Sequence, residues 1–269
     1  MRTIVVTGSG SGLGAAAARR LGEAGDRVIG IDIKNAEVIA DLGTADGREQ
    51  AISDVRRLSN GAIDGLVTYA GVGGTADRSG ALLVSINYFG TVVLAEGLRD
   101  LLAASGESAA VLISSNTTTT IPGIDDSLVK ACLSGDEEHA REIGESIGSI
   151  PSYPATKTAI ARWMRHHAVE TEWIGNGITL NAVAPGLIET PLTEESRVDP
   201  VKGPVFDKFP MPVGRLGYPD EVAALVAFLL GPDARFICGS LIFCDGGSDA
   251  LLRPDDWPTA ASSSFLDRL

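Results

Sequence analysis

Eight residues near the start of the chain, Thr7-Gly8-Ser9-Gly10-Ser11-Gly12-Leu13-Gly14, restrict its fold more than any others. They follow the β-branched run Thr3–Thr7 directly and lead into a helical pattern that begins at Gly12. Glycines at a strand exit let the backbone turn tightly and let another group approach it closely. The helix that follows presents its free N–H groups, the positive end of its dipole, back towards that turn. Strand, glycine turn and helix in this order make a site for a phosphate-bearing ligand beyond the carboxyl end of a parallel sheet. No Gly-Lys-Ser/Thr follows the glycines, which excludes a nucleoside-triphosphate loop.

The rest of the chain keeps the same alternation. Short β-branched runs predict strands at Thr3–Thr7, Arg27–Asp32, Glu37–Asp41, Gly65–Tyr69, Ala109–Ser114, Ile178–Val183 and Ser240–Phe243. Helical periodicity predicts helices at Gly12–Ala24, Thr44–Leu58, Gly80–Ala104, Tyr153–Trp173 and Pro219–Leu230. The expected fold is α/β: a doubly wound, Rossmann-type parallel sheet of about seven strands with helices on both faces. With 269 residues, 44% of them hydrophobic, the chain suffices for one core, so residues 1–269 are expected to form a single dinucleotide-binding catalytic domain.

Two segments break the rhythm. Residues 116–152 separate a strand from a helix by far more than a short connection, and they carry a helical signal at Asp136–Ile147, with Ser134 and Glu137 spaced as a capping box. This is an insertion with structure of its own. Residues 190–217 hold prolines at 191, 200, 204, 210 and 212 together with Phe206, Phe209 and Met211. Prolines so spaced forbid one regular helix, and the apolar side chains suit a substrate lid of loop and short helices.

Charge narrows the partners. A formal net charge of −13 repels a phosphate backbone, so no nucleic acid is expected. No apolar run stands out at the roughly 18 residues that a bilayer requires, so no membrane partner is expected either. Met1-Arg2-Thr3-Ile4 enters apolar sequence without the pattern of a secretory leader, and a cytoplasmic location is expected. Cys132, Cys238 and Cys244 lack metal-ligand spacing, as do the three histidines, and no metal is expected.

The second strand candidate ends in Ile29-Gly30-Ile31-Asp32, which puts Asp32 18 positions after Gly14. A carboxylate there accepts hydrogen bonds from adenosine ribose hydroxyls and repels a 2′-phosphate, so the expected cofactor is NAD. Tyr153-Pro154-Ala155-Thr156-Lys157 lies at the other end of the argument. Residues four apart share a helix face, so phenol and ammonium can enter one cleft. A phenol of pKa about 10 exchanges protons poorly at neutral pH, and a neighbouring cation favours its phenolate. Spacing alone also fits an ordinary surface pair.

Taken together these motifs resemble the short-chain dehydrogenase/reductase family over nearly the whole chain. The matching residues are Thr7, Gly8, Gly12 and Gly14; Asp41-Leu42; Ala70-Gly71; Asn87; Ile113-Ser114-Ser115; Tyr153 and Lys157; and Pro185-Gly186 with Thr190. The resemblance implies that Ser115, or failing that Ser114, holds the substrate oxygen. It implies that Tyr153 gives or takes the hydroxyl proton, that Lys157 binds the nicotinamide ribose and lowers the tyrosine pKa, and that Asn87 sustains a proton relay. For the cofactor it implies Gly8, Ser11, Gly12, Leu13 and Gly14 at the pyrophosphate, Asp32 at the ribose and Asp41 and Leu42 near the adenine. It further implies Ala70, Gly71, Pro185 and Gly186 along the cleft, with Ile188 and Thr190 at the carboxamide.

Two departures stand out: Tyr69 replaces the asparagine that usually precedes Ala-Gly, and 38 positions separate Ser115 from Tyr153. Enoyl reduction is disfavoured, because its relatives place lysine seven positions after the tyrosine, where this chain has Ile160. Within the family, the run Ile29–Leu42, the run Val84–Gly90 and the insertion are similar to the bacterial 3α-hydroxysteroid dehydrogenase/carbonyl reductase group. That likeness implies an NAD(H)-dependent oxidoreductase that interconverts a secondary alcohol and a ketone, acting on a small apolar substrate such as a hydroxysteroid, and assembled as a homodimer or else as the family's common homotetramer. A cyclic terpene alcohol is the alternative substrate, and a non-catalytic NAD(H)-binding sensor the alternative of another class.

Overall fold

The computed structural model describes residues 1–206, 208–256 and 260. Asp207 of the expected lid and residues 257–259 and 261–269 of the expected domain lie outside the described residues. In chain order the elements are β1 (Thr3–Thr7), α1 (Gly12–Glu23), β2 (Arg27–Asp32), β3 (Val38–Ile39), α2 (Ala45–Leu58), β4 (Gly65–Thr68) and α3 (Gly80–Val84). A wide π turn (Ser85–Phe89) leads into α4 (Gly90–Gly97), α5 (Arg99–Ser105) and β5 (Ser108–Ile113). Then come α6 (Thr117–Thr120), α7 (Asp126–Leu133), α8 (Glu137–Ile147), α9 (Ser149–His167) and β6 (Ile178–Pro185). Last are α10 (Pro191–Val198), α11 (Gly203–Phe206), α12 (Pro219–Leu229), β7 (Leu241–Cys244) and α13 (Ser248–Leu252).

The strands form one parallel seven-stranded sheet in the order β3-β2-β1-β4-β5-β6-β7. The expected doubly wound α/β fold is therefore present. Alternation along each strand divides the core: Val5 faces one layer with Val55, Leu94, Ile160 and Met164, whereas Ile4 and Val6 face the other with Leu21, Val222 and Val226. The order reverses between β1 and β4, and the crevice that opens there beyond the strand ends is where such sheets bind ligands.

Local expectations needed correction in five places. The third strand is two residues long rather than running from Glu37 to Asp41. The helix expected over Gly80–Ala104 is interrupted by the π turn at Ser85–Phe89 and again at Leu98, so periodicity was a poor guide to its backbone. Residues Gly80–Gly97, with mean hydropathy 1.3, do reach the length and composition of a membrane span. In the structure they are core, 67% buried and packed against α8 and α9. The helix expected to open at Tyr153 begins a turn earlier, after Gly148 at φ +82°, and ends at His167 rather than Trp173. The capping box does not form: Ser134 closes α7 with its hydroxyl donating to the Ala131 carbonyl, and Asp136 caps α8 by accepting from the His139 N–H at 3.1 Å.

The insertion is not an excursion. Leu128, Val129, Cys132 and Ala140 are buried in the same core layer as Ile160 and Met164. α8 crosses α3 with backbones nearly touching, since a Cβ on Gly80 would lie 1.8 Å from the Gly144 carbonyl oxygen.

Candidate active site

The glycine turn is shaped by close approach. Gly8 has φ +66°, and a Cβ there would stand 2.8 Å from the Ala70 nitrogen. A Cβ on Gly14 would fall 2.1 Å from the Gly8 carbonyl oxygen, so the turn and the first helical residues must pack without side chains. Thr7 ties the turn to the neighbouring strand end, its hydroxyl accepting from the Ala70 N–H at 2.8 Å. At the start of α1 the Ser11 side chain makes no capping hydrogen bond, and no acidic residue occupies the first turn. The positive end of the helix is thereby left for an outside anion. Asp32 reaches the turn from the end of β2, accepting from Gly10 N–H at 3.0 Å.

These residues line a cleft with a cavity volume of about 330 Å³. Every residue expected to touch the cofactor borders it: Gly8, Ser11, Gly12, Leu13 and Gly14; Asp32, Asp41 and Leu42; Ala70 and Gly71; Tyr153 and Lys157; Pro185, Gly186, Ile188 and Thr190. A phosphate-seeking helix end, a cradle that side chains would fill and a carboxylate at the second strand fit a dinucleotide. Ile33, Lys34 and Ile86 also border the cleft and were missed; the first two follow Asp32 directly, which was signal enough.

At the opposite end Ser115, Tyr153 and Lys157 meet. The structure separates the two serines. Ser114 is buried and donates its hydroxyl hydrogen bond to the Lys157 carbonyl at 2.9 Å, pinning α9 to β5. Ser115 borders the cleft beside Tyr153, its Oγ accepting from the Thr117 N–H at 3.2 Å. Burial pushes the Tyr153 pKa up, and the Ser115 hydroxyl draws it partly back. Burial also pushes the Lys157 ammonium down, to about 8. Its Nζ donates to the Ile113 carbonyl at 3.0 Å and stands 5.8 Å from the Tyr153 ring centre.

Asn87 stands one layer behind the cleft wall, fully buried in the π turn. Its Oδ1 accepts from Val72 N–H at 2.8 Å and its Nδ2 donates to the Val72 carbonyl at 2.9 Å. The side chain thus acts as an extra strand partner for the loop leaving β4. A Cβ on Gly71 of that loop would lie 3.1 Å from Asn87 Oδ1 and 3.7 Å from Lys157 Nζ, so the asparagine and the lysine flank one glycine. Tyr69 does not replace the usual asparagine's hydrogen bond: its hydroxyl is buried without a partner and its ring packs on Ala16, Ala17 and Ala223, filling space between α1 and α12.

Comparisons with known proteins agree with this geometry. Residues 2–124 match the family model described as short chain dehydrogenase, and residues 141–249 match one described as enoyl-(acyl carrier protein) reductase. The chain is 40% identical over 258 residues to the 3-alpha-hydroxysteroid dehydrogenase/carbonyl reductase of Comamonas testosteroni, covering 94% of this chain and 99% of that protein. It is 33% identical to the coniferyl-alcohol dehydrogenase of a Pseudomonas strain, covering 91% and 96%. Among solved structures, the 3-alpha-hydroxysteroid dehydrogenase from Pseudomonas sp. B-0831 complexed with NADH superposes with a TM-score of 0.91 at 44% identity, covering 95% of this chain and 100% of that one.

Proposed function

Because the chain belongs to the short-chain dehydrogenase/reductase family, we propose that it interconverts a secondary alcohol and a ketone with NAD(H), on a 3α-hydroxysteroid or a similar apolar carbonyl substrate. The observation that carries this reading is that Ser115, Tyr153 and Lys157 line the same cleft as the glycine turn and Asp32. The bound nicotinamide supplies the hydride acceptor or donor. The remaining work belongs to the chain's own residues. Ser115 holds the substrate oxygen, and Tyr153 takes the hydroxyl proton in oxidation or returns it in reduction. Lys157 holds the nicotinamide ribose and, when protonated, favours the phenolate.

NAD rather than NADP follows from the carboxylate of Asp32, which repels a 2′-phosphate. Residues 190–217 serve as the lid: Thr190 caps α10, and Pro191, Leu192 and Thr193 border the cleft. Enoyl reduction is disfavoured because Ile160 is buried in the core while Lys157 reaches the cleft. A cytoplasmic location and assembly as a homodimer complete the proposal, the latter on the likeness of the insertion. The test is nicotinamide absorbance with purified protein, NAD or NADP, and a panel of hydroxysteroids and cyclic terpene alcohols. Steroid turnover with NAD is the expected result; turnover of the terpene alcohols alone would move the substrate class, and NADP preference would overturn the cofactor. Light scattering reads the assembly, with a dimer mass expected and a monomer or tetramer counting against it.

A further inference from the structure

Glu137 opens α8 in the insertion, and its carboxylate divides between two parts of the cleft wall. Arg48 grips both oxygens, donating to Oε2 at 2.6 Å and to Oε1 at 3.3 Å, and its guanidinium, 4% exposed, also donates to the Leu42 carbonyl at 3.2 Å. Through Oε1 it takes a 2.8 Å hydrogen bond from the Ser85 hydroxyl, which in turn accepts from Arg141 of the same helix. Neither partner is incidental. Leu42 borders the cleft on the side of Asp32. Ser85 begins the π turn that holds Asn87, and its carbonyl accepts the Gly90 N–H across that turn. A single π turn inside a helix persists only where surrounding contacts hold it. A buried guanidinium likewise requires a carboxylate opposite it.

Resting on the dehydrogenase reading above, the geometry points to Glu137 as a positioning residue: one carboxylate of the insertion fixes Leu42 through Arg48 and fixes Asn87 through Ser85. The insertion then serves chemistry from within its own chain. Its two arms have separable effects, because the Arg48 arm bears on cofactor binding and the Ser85 arm bears on the Val72 loop and Lys157.

The test uses the full chain, NADH fluorescence titration, and hydrogen–deuterium exchange of peptides covering 70–75 and 85–91, beside kcat on the alcohol that the wild type oxidises. Arg48→Met is expected to weaken NADH binding about tenfold, with kcat and exchange at 70–75 near wild type. Ser85→Ala is expected to speed exchange at 70–75 and lower kcat about tenfold, with a smaller loss of NADH affinity than Arg48→Met shows. Glu137→Gln keeps an oxygen for Ser85 and loses the charge opposite Arg48, so it follows the first pattern; Glu137→Ala shows both. Should Glu137→Ala fail to fold, the two single-arm variants decide. Identical patterns for Arg48→Met and Ser85→Ala, or a change in melting temperature alone, would overturn the inference. A wild type that binds NADH but oxidises no alcohol overturns the dehydrogenase reading and leaves titration and exchange to judge Glu137. A wild type that does not bind NADH overturns both.

Discussion

The two ends of the cleft are built by opposite means. The nucleotide end is local: β1, the glycine turn, α1 and Asp32 all come from the first 32 residues, and the contacts that shape it are those a missing Cβ permits. The catalytic end is assembled from distant parts, with Ser115 beyond β5, Tyr153 and Lys157 on α9, Asn87 in a π turn, and an insertion bracing them. A backbone cradle needs few partners to hold its shape. A hydroxyl, a phenol and an ammonium that must meet within hydrogen-bonding distance need a buttress for each. The difference teaches where each end is vulnerable: the first to a single added methyl group, the second to loss of polar contacts far along the chain.

The sharpest break between the two ends is Tyr153→Phe. Removing only the phenolic oxygen should lower kcat by about 10³-fold, within the range for loss of a general acid–base group, while the glycine turn and Asp32 keep their geometry. NADH affinity by fluorescence titration should match the wild type. Retained turnover would remove Tyr153 from the proton transfer, and a protein with no turnover to lose would favour the sensor reading. Collapse of NADH affinity along with kcat would mean that the ends are not separable.

Next in size is the pH dependence set by Lys157, whose pKa burial lowers from 10.5 to about 8. Below pH 8 the lysine is protonated folded or unfolded, and the fold carries the full cost of burying the charge. Between pH 8 and 10.5 the unfolded chain binds more protons than the folded one, so stability rises with pH. Compared with Lys157→Met in urea titrations, the wild type should gain on the order of 2–3 kcal/mol across that window. A constant difference between the two proteins would show that the catalytic end does not bury a charged lysine.

Asp32→Ala probes the other end. It removes the carboxylate that would face a 2′-phosphate, and with it the acceptor of Gly10 N–H. The ratio of kcat/KM with NAD to that with NADP should fall at least about tenfold, a change of ~1.4 kcal/mol. An unchanged ratio would show that the carboxylate does not discriminate and that selectivity lies elsewhere in the cleft.

The same division governs how much was legible in the sequence. Gly8, Gly14 and Asp32 could be placed because short-range rules act on them: a turn after a strand, a helix start, a fixed spacing. All the expected cofactor residues border one cleft. Periodicity, by contrast, could not show that Asn87 lies in a π turn and turns its amide to Val72, because an apolar helix reads the same whether or not one turn is widened. Nor could a 38-residue gap reveal that Glu137 meets Arg48 and Ser85, since those contacts span 89 and 52 positions. Resemblance alone separated Ser115 from Ser114 in the sequence, and no spacing could show that the Ser114 hydroxyl donates to the Lys157 carbonyl.

The smallest effect belongs to residues 190–217, proposed above as the lid. Arg78, on the loop leaving β4, pairs with Glu195 of α10 at 2.7 Å and donates to the Gly73 carbonyl. Lys202 and Asp199 add hydrogen bonds from the same lid to Gly74 and Ala76, so Arg78 is one of several latches. Its side chain is 20% exposed and that of Glu195 41%, and a pair so wetted contributes about 0.5–1 kcal/mol after screening. Arg78→Ala should therefore raise KM for the alcohol about two- to fivefold and leave kcat at saturation within that margin, because closure is weakened and the Ser115–Tyr153 pair is untouched. A fall in kcat with unchanged KM would place Arg78 with the catalytic buttresses instead. The lid would then be part of the catalytic end rather than a cover drawn over both.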